Sequence, residues 1–383
     1  MKNNFIIKFL LCALLICIVM FGFVACYGGA EECELGGQSD TPSTDNSGDE
    51  DADEPEELIP SEGFIFTLNS NAGTYSLKGV GSCEDKDIVI PSVYEDKPVV
   101  EIKNQAFYNC VNVTSIVVPD SVTTIGNQAF ASCSSLKTIK LGNSVKKIGK
   151  NAFTDCVALT SIVIPDSVTS LGNQAFYYCT SLKSATLSNK ITSLGSRVFS
   201  DCVSLESIVI PSSVTSIAGY AFYFCTSLKS VVMSNNVKSI GDWAFYKCES
   251  MTSINLSTSL TTIGGGAFYD CMSLESIVIP DSVSDIKDYT FHYCKNLKSV
   301  VIGDSVTSIG EYSFFFCSSL TSLEIGASVT EIKDLAFARC VNLNEISYNG
   351  TKDEWGDVEK IGKWNDFVPA TKVICTDGEV SIL

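Results

Sequence analysis

The chain has 383 residues, a formal charge of -18, 17 cysteines and a single histidine. Its acids are unevenly placed: 13 of them fall in residues 27–62, which hold no Lys or Arg, so the body of the chain is close to charge balance. No clustered basic stripe is present to neutralise phosphates, which sets nucleic acid aside as a partner, and one histidine leaves no multi-histidine metal site and few nucleophile-base pairs.

Residues 1–25 read as an export signal, with Lys2 and Lys8 ahead of an apolar run from Phe9 to Ala25. The run ends Phe23-Val24-Ala25-Cys26, which resembles a bacterial lipobox, although Phe23 stands where Leu is usual. The resemblance implies lipidation at Cys26 and a membrane-anchored lipoprotein outside the membrane; a retained spanning helix is the alternative. Residues 26–63 follow as an acidic linker of Asp, Glu, Ser, Gly and Pro. They carry too few large apolar groups to offset the entropy of ordering, so a self-repelling disordered spacer is expected. A calcium loop is not, because the alternating ligand spacing is missing.

Residues 64–102 read as an N-terminal cap with a lengthened first coil, built from Phe64 to Leu68, Thr74 to Val80, Ile88-Val89-Ile90-Pro91 and Val99 to Ile102. From residue 103 to 346 a Phe and a Cys recur together every 23 residues, from Phe107/Cys110 to Phe337/Cys340, in eleven copies without a slip. One unit stacked on itself is the reading. In the copy Asn127 to Gly149 the apolar positions are Ala129, Phe130, Cys133, Leu136, Ile139, Leu141, Val145 and Ile148. Leu-x-x-Ile-x-Leu reads as one short strand, Val-x-x-Ile as a second, and Ala-Phe-x-x-Cys as a tight helical turn. Pro119, Pro165, Pro211 and Pro280 follow the first strand, where a residue lacking N–H ends a ladder. After Ile346 the period is lost, and residues 347–383, with Trp355, Trp364 and Val373 to Gly378, read as a C-terminal cap that covers the last coil's unpaired edge.

The pattern Leu-x-x-Ile-x-Leu-x-x-x-Val-x-x-Ile-Gly-x-x-Ala-Phe-x-x-Cys resembles the BspA-like, or treponemal-type, leucine-rich repeats over about residues 64–383. Departures are small: Val198, Thr290 and Ser313 replace the Ala, Ala185 replaces a strand Ile, and Lys287 and Lys333 replace the Gly. The resemblance implies an α/β repeat, a right-handed leucine-rich-repeat solenoid of about 11–12 stacked 23-residue coils with parallel strands and short helical turns. It also implies a surface adhesin that binds extracellular matrix proteins or other cells.

The repeated cysteines read as a buried apolar column rather than disulfides or metal ligands, since eleven cannot pair evenly and no Cys-x-x-Cys is present. Cys33, Cys83 and Cys375 lie outside it. His292 follows a repeat Phe and reads as a partly exposed ring without a catalytic partner, and acids such as Asp155 and Asp201 face no fixed second acid. No catalytic residue, metal or cofactor is assigned. Two exposed columns are left as candidate binding surfaces. One is the outward strand position with Val163, Val209, Val232, Val278 and Val301; the other is the aromatic row Tyr177, Tyr178, Tyr223, Phe224, Tyr246, Tyr269, His292, Tyr293, Phe315 and Phe316. Each has a structural reading beside the binding one, because β-branched residues favour strands and rings one coil apart can stack on each other. The functional expectation is a non-enzymatic surface protein presenting a solenoid to a protein ligand. A glycan-binding or substrate-capturing lipoprotein and a structural surface component are the alternatives.

Overall fold

The computed structural model describes residues 58–382. The signal peptide, Cys26 and the acidic linker up to residue 57 lie outside the described residues. The described residues form one compact unit.

Alternation of apolar and polar residues sets the strands. In Ser207–Ile210 the burial pattern runs exposed, buried, exposed, buried, so Ile208 and Ile210 point inward while Val209 faces out. Such strands recur from Asp87–Val89 to Lys372–Cys375 in one column, and a second column runs from Thr74–Gly79 to Glu359–Lys360, with two-residue strands from Thr124–Ile125 onward. The pairing is parallel and in register one repeat apart: Ser207 meets Ser230, Ile210 meets Met233, and on the second column Ser216 meets Ser239. The result is a β-solenoid of about 13 stacked turns.

The expected short helical turns are not there. Ala-Phe-x-x-Cys folds as consecutive tight turns, and among the described residues the α-helix is Lys352–Asp357, behind the repeats. The backbone explains the difference. In the copy around Phe130, alternate N–H groups leave their own turn and reach the next coil: Gln128 donates to the Lys150 carbonyl at 2.9 Å, Phe130 to Ala152 at 2.8 Å and Ser132 to Thr154 at 2.7 Å. The intervening N–H groups of Ala131 and Cys133 close local turns on Gln128 and Phe130. Gln128 and Ser132 take φ of 55° and 61°, which an α-helix of L-residues does not accommodate. Coil-to-coil bonds thus replace the i to i−4 ladder of a helix.

Inside, the repeat Phe rings from Phe107 to Phe337 are fully buried and stack face to face, 5.1 Å apart at Phe130–Phe153 and 5.7 Å at Phe199–Phe222. Both ends of this column are closed edge-on, by Phe64 at 6.1 Å and by Trp364 at 6.2 Å. Beside it run the cysteines. Cys133 through Cys340 each donate their thiol to the Phe carbonyl of the preceding coil at 3.0–3.4 Å. All are free and buried. Burial pushes the Cys156 thiol up to about 12 and those of Cys179, Cys225 and Cys248 well above the ordinary range.

Side-chain oxygens finish the corners. Asp120 Oδ1 accepts from Asn143 N at 2.7 Å, Asp166 from Asn189 N at 2.8 Å and Asp281 from Asp304 N at 2.8 Å, so the acid after Pro119, Pro165 and Pro280 holds the next coil's backbone, and Asn127 does the same for Lys150 N at 2.8 Å. The hairpin Ile65–Asn69 with Thr74–Gly79 covers the first coil. At the other end Thr351 caps the helix in a reciprocal capping box with Glu354, and Trp355 is buried.

Candidate functional site

The residue after each buried Phe stands at the edge of the stack. Repetition places these residues one coil apart, within stacking distance. From Phe222 to Phe314 they are aromatic, and the rings form a continuous row: Tyr223–Tyr246 at 4.7 Å, Tyr246–Tyr269 at 5.2 Å, Tyr269–His292 at 4.4 Å and His292–Phe315 at 5.2 Å. Phe224 packs on Tyr223 at 4.9 Å, and Tyr293 stacks on Phe316 at 4.8 Å.

Four rings complete the surface that the row of post-Phe residues does not include: Tyr220, Trp243, Tyr289 and Tyr312. Each lies two residues before a repeat Phe and contacts the ring three residues later, at 5.4 Å for Tyr220–Tyr223 and Trp243–Tyr246, 5.6 Å for Tyr289–His292 and 5.3 Å for Tyr312–Phe315. Their recurrence at repeat spacing is visible in the sequence. The Trp243 indole lies over Gly266, where a Cβ would meet Cε3 and Cζ3 at 2.5 Å. Gly266 is thereby the coil position that makes room for the largest ring of the surface.

Tyr177 and Tyr178 stand apart. They pack on each other at 6.0 Å, but the next coil carries the buried Ser200 at the position after Phe199, which interrupts the row before Tyr223. His292 also departs from its expected partial exposure: it is 8 % exposed, because Tyr269, Tyr293 and Phe315 stack roughly parallel to it while Tyr289 and Tyr312 approach it at an angle. It supports the row and presents little of itself.

Charge borders the rings. Arg197 lies 4.3 Å over Tyr220, Lys247 5.2 Å over Phe224 and Lys295 5.1 Å over Tyr293, each within cation-π range. Lys247 also reaches Asp270 at 3.8 Å, while Asp270 Oδ1 and His292 Nδ1 are buried without a hydrogen-bond partner. Burial raises the Asp270 carboxyl, pushes His292 down to about 4, and raises the phenols of Tyr223, Tyr246 and Tyr269. At neutral pH the phenols are therefore protonated donors and the imidazole is uncharged. Among the described residues of this face no nucleophile is paired with a base; the arrangement is one of aromatic contact area bordered by cations.

The valine column is less continuous. Val163, Val209, Val232 and Val278 are exposed at 56–64 %, but Val301 is half-buried. Val209 pairs with Val232 and Val278 with Val301, whereas Val163 pairs with Thr186, and Asn255 stands between the two valine pairs. The strip is three separate pieces.

Comparison with known proteins agrees with this architecture. The family described as BspA type leucine rich repeat region matches in six copies over residues 100–229 and 215–344. A leucine-rich repeat protein from Bacteroides ovatus is similar in structure, with 28 % identity, a TM-score of 0.51, and coverage of 80 % of this chain and 91 % of that one. A leucine rich cell surface protein from Faecalibacterium prausnitzii aligns at 28 % identity with a TM-score of 0.43 over 80 % of this chain and 99 % of its own. None of the curated proteins matches. With the matched residues spanning well over half of its length, the chain belongs to the BspA-type leucine-rich repeat family.

Proposed function

We propose that this protein is a non-enzymatic recognition protein of the cell surface, held there through a lipidated Cys26 and the acidic linker, and that the aromatic face from Tyr220 to Phe316 binds a protein partner. The observation that carries the reading is the closed stacking of the row. Tyr246 and Tyr269 have neighbours over both faces, so what they offer to solvent is their edges and hydroxyls. A sugar ring stacks on an open aromatic face, which these rings do not offer, whereas a protein surface uses ring edges, phenol donors and flanking cations as anchors.

The test is a binding assay of the full chain against extracellular matrix proteins and a glycan array, with the Trp243→Ala/Tyr246→Ala variant beside it. Saturable binding to a protein, weakened about tenfold or more in the variant, is expected for two central anchors. Binding to glycans alone would move the protein to the sugar-capturing alternative. Self-association with no ligand bound would make it a structural surface component.

A further inference from the structure

The N-terminal end of the cysteine column differs from the rest of it. Cys83 lies in the first, lengthened coil, yet the backbone there repeats the Phe-Cys turn: Cys83 N donates to the Val80 carbonyl at 2.9 Å as Cys110 N does to Phe107 at 3.2 Å. The register between these two coils is read from Gly79, whose Cβ position would lie 3.8 Å from the Ala106 carbonyl. That offset places Val80 over Phe107 and Cys83 over Cys110. Cys83 is thus the first member of the column, with Val80 in place of its Phe.

Three features separate this pair from the cysteines below. Both are partly exposed, while Cys133 through Cys340 are buried. Both line one surface cavity of about 490 Å³, together with Asp85, Ile88, Asn109 and Val113. Among the described residues, the Cys110 thiol also makes no bond to a carbonyl of the coil before it, unlike each column cysteine that follows. Equivalent residues in adjacent coils are spaced as neighbouring parallel strands, about 4.8 Å apart, inside the span of about 4.4–6.8 Å between Cα atoms that a disulfide requires.

We propose that Cys83 and Cys110 are a redox pair that closes to a disulfide on meeting a small-molecule disulfide, tying the N-terminal cap to the first regular coil. In the first step a cysteine thiolate attacks one sulfur of oxidised glutathione, releasing one glutathione thiolate and leaving a mixed disulfide. In the second, the other cysteine thiolate attacks the protein sulfur of that mixed disulfide and displaces the second glutathione. The protein loses two electrons and two thiol protons, and one oxidised glutathione becomes two reduced ones. Burial raises the Cys83 thiol, so closure accelerates as pH rises. The bond would join the terminal coil of the stack, where fraying begins, to the continuous core.

The experiment treats the full chain with oxidised glutathione, alkylates remaining thiols and maps the peptides by mass spectrometry. One peptide pair joining Cys83 to Cys110, lighter by two hydrogens and released by dithiothreitol, is the expected result. A higher thermal midpoint that dithiothreitol reverses should accompany it, and both should vanish in Cys83→Ala. Recovery of both residues alkylated or separately glutathionylated, or a bond from Cys110 to Cys133, overturns the pairing. A Cys83–Cys110 bond that leaves the midpoint unmoved overturns the tie between cap and coil.

Discussion

The coils before Arg197 and those after it share one interior and carry two different edges. Phe130 and Phe153 stack at 5.1 Å and Phe245 and Phe268 at 5.4 Å, and the thiols of Cys156 and Cys271 meet the carbonyl of the preceding Phe at 3.1 and 3.2 Å. At the edge, the early coils place Ala131 and Thr154 after their Phe, with Gln105 and Gln128 bonding at 3.0 Å two residues before it. The later coils place Tyr246, Tyr269 and Trp243 at those same positions. An unchanged core with a changed edge shows that the stack does not need the rings, since the early coils stand without most of them.

If the interior is one continuous column, titrating it should act on the whole stack at once, and this is the largest effect expected. An unfolded thiol ionises near about 8.5, whereas burial holds Cys156 up to about 12 and its successors higher. The native state therefore keeps its protons longer. Stability is complete below the unfolded value and is lost as pH rises through that window, by roughly 1.4 kcal/mol per pH unit for each buried thiol. Urea midpoints measured from neutral pH upward should fall steeply, and Cys225→Ala with Cys248→Ala should flatten the fall. An unchanged slope in that variant would assign it to the tyrosines instead.

A smaller lesion tests the halves against each other. Phe153→Ala and Phe245→Ala should each cost about 3–5 kcal/mol, because both leave a ring-sized void between parallel neighbours. Edge substitutions should split: Gln105→Ala, at an exposed residue, should stay within about 0.5 kcal/mol, while Tyr246→Ala should lose about 1 kcal/mol of stacking. Equal losses at the two edges, read by urea denaturation, would erase the distinction.

The interior was the legible part. Phe130 and Leu136 are buried together with every equivalent, as are Cys133 and Ile139 except in the coils of Cys110 and Ala185, and burial is what keeps a position apolar in copy after copy. The turn was misread because Ala-Phe-x-x-Cys has helical spacing, while the bonds that unmake the helix, such as Phe130 to Ala152, run to residues 22 places away. At the edge, Tyr220 and Tyr223 were both visible, yet their contact depends on that same turn. The burial of His292 was hidden for another reason: it arises from the identity of Tyr269 and Phe315 in adjacent coils, not from the repeat position.

His292 makes the next test. Its imidazole is buried, pushed down to about 4, with Nδ1 unpartnered. The neutral ring is favoured in the fold, so its contribution is present above the unfolded value of about 6.5 and is lost as pH falls towards 4, by roughly 3 kcal/mol. His292→Phe copies what Phe315 already does one coil on. It should be at least as stable at neutral pH, since an orphaned nitrogen is removed, and its urea midpoint should hold better in mild acid. A midpoint that still drops like the parent's would place the acid sensitivity elsewhere.

The finest distinction lies between two adjacent coils at the position before Phe, where most copies hold Ala. Thr290 and Ser313 are both fully buried there. Thr290 Oγ1 donates to the Lys287 carbonyl at 2.6 Å, but Ser313 Oγ has no partner. A buried hydroxyl without a partner costs free energy, whereas a bonded one returns a modest net gain. Ser313→Ala should therefore raise stability by about 1 kcal/mol, and Thr290→Ala should lower it by a similar amount. Opposite signs from one repeat position would show that the departures from the repeat act through their neighbours, as the aromatic edge does on a larger scale. Two shifts of the same sign would mean that the position alone sets the energy.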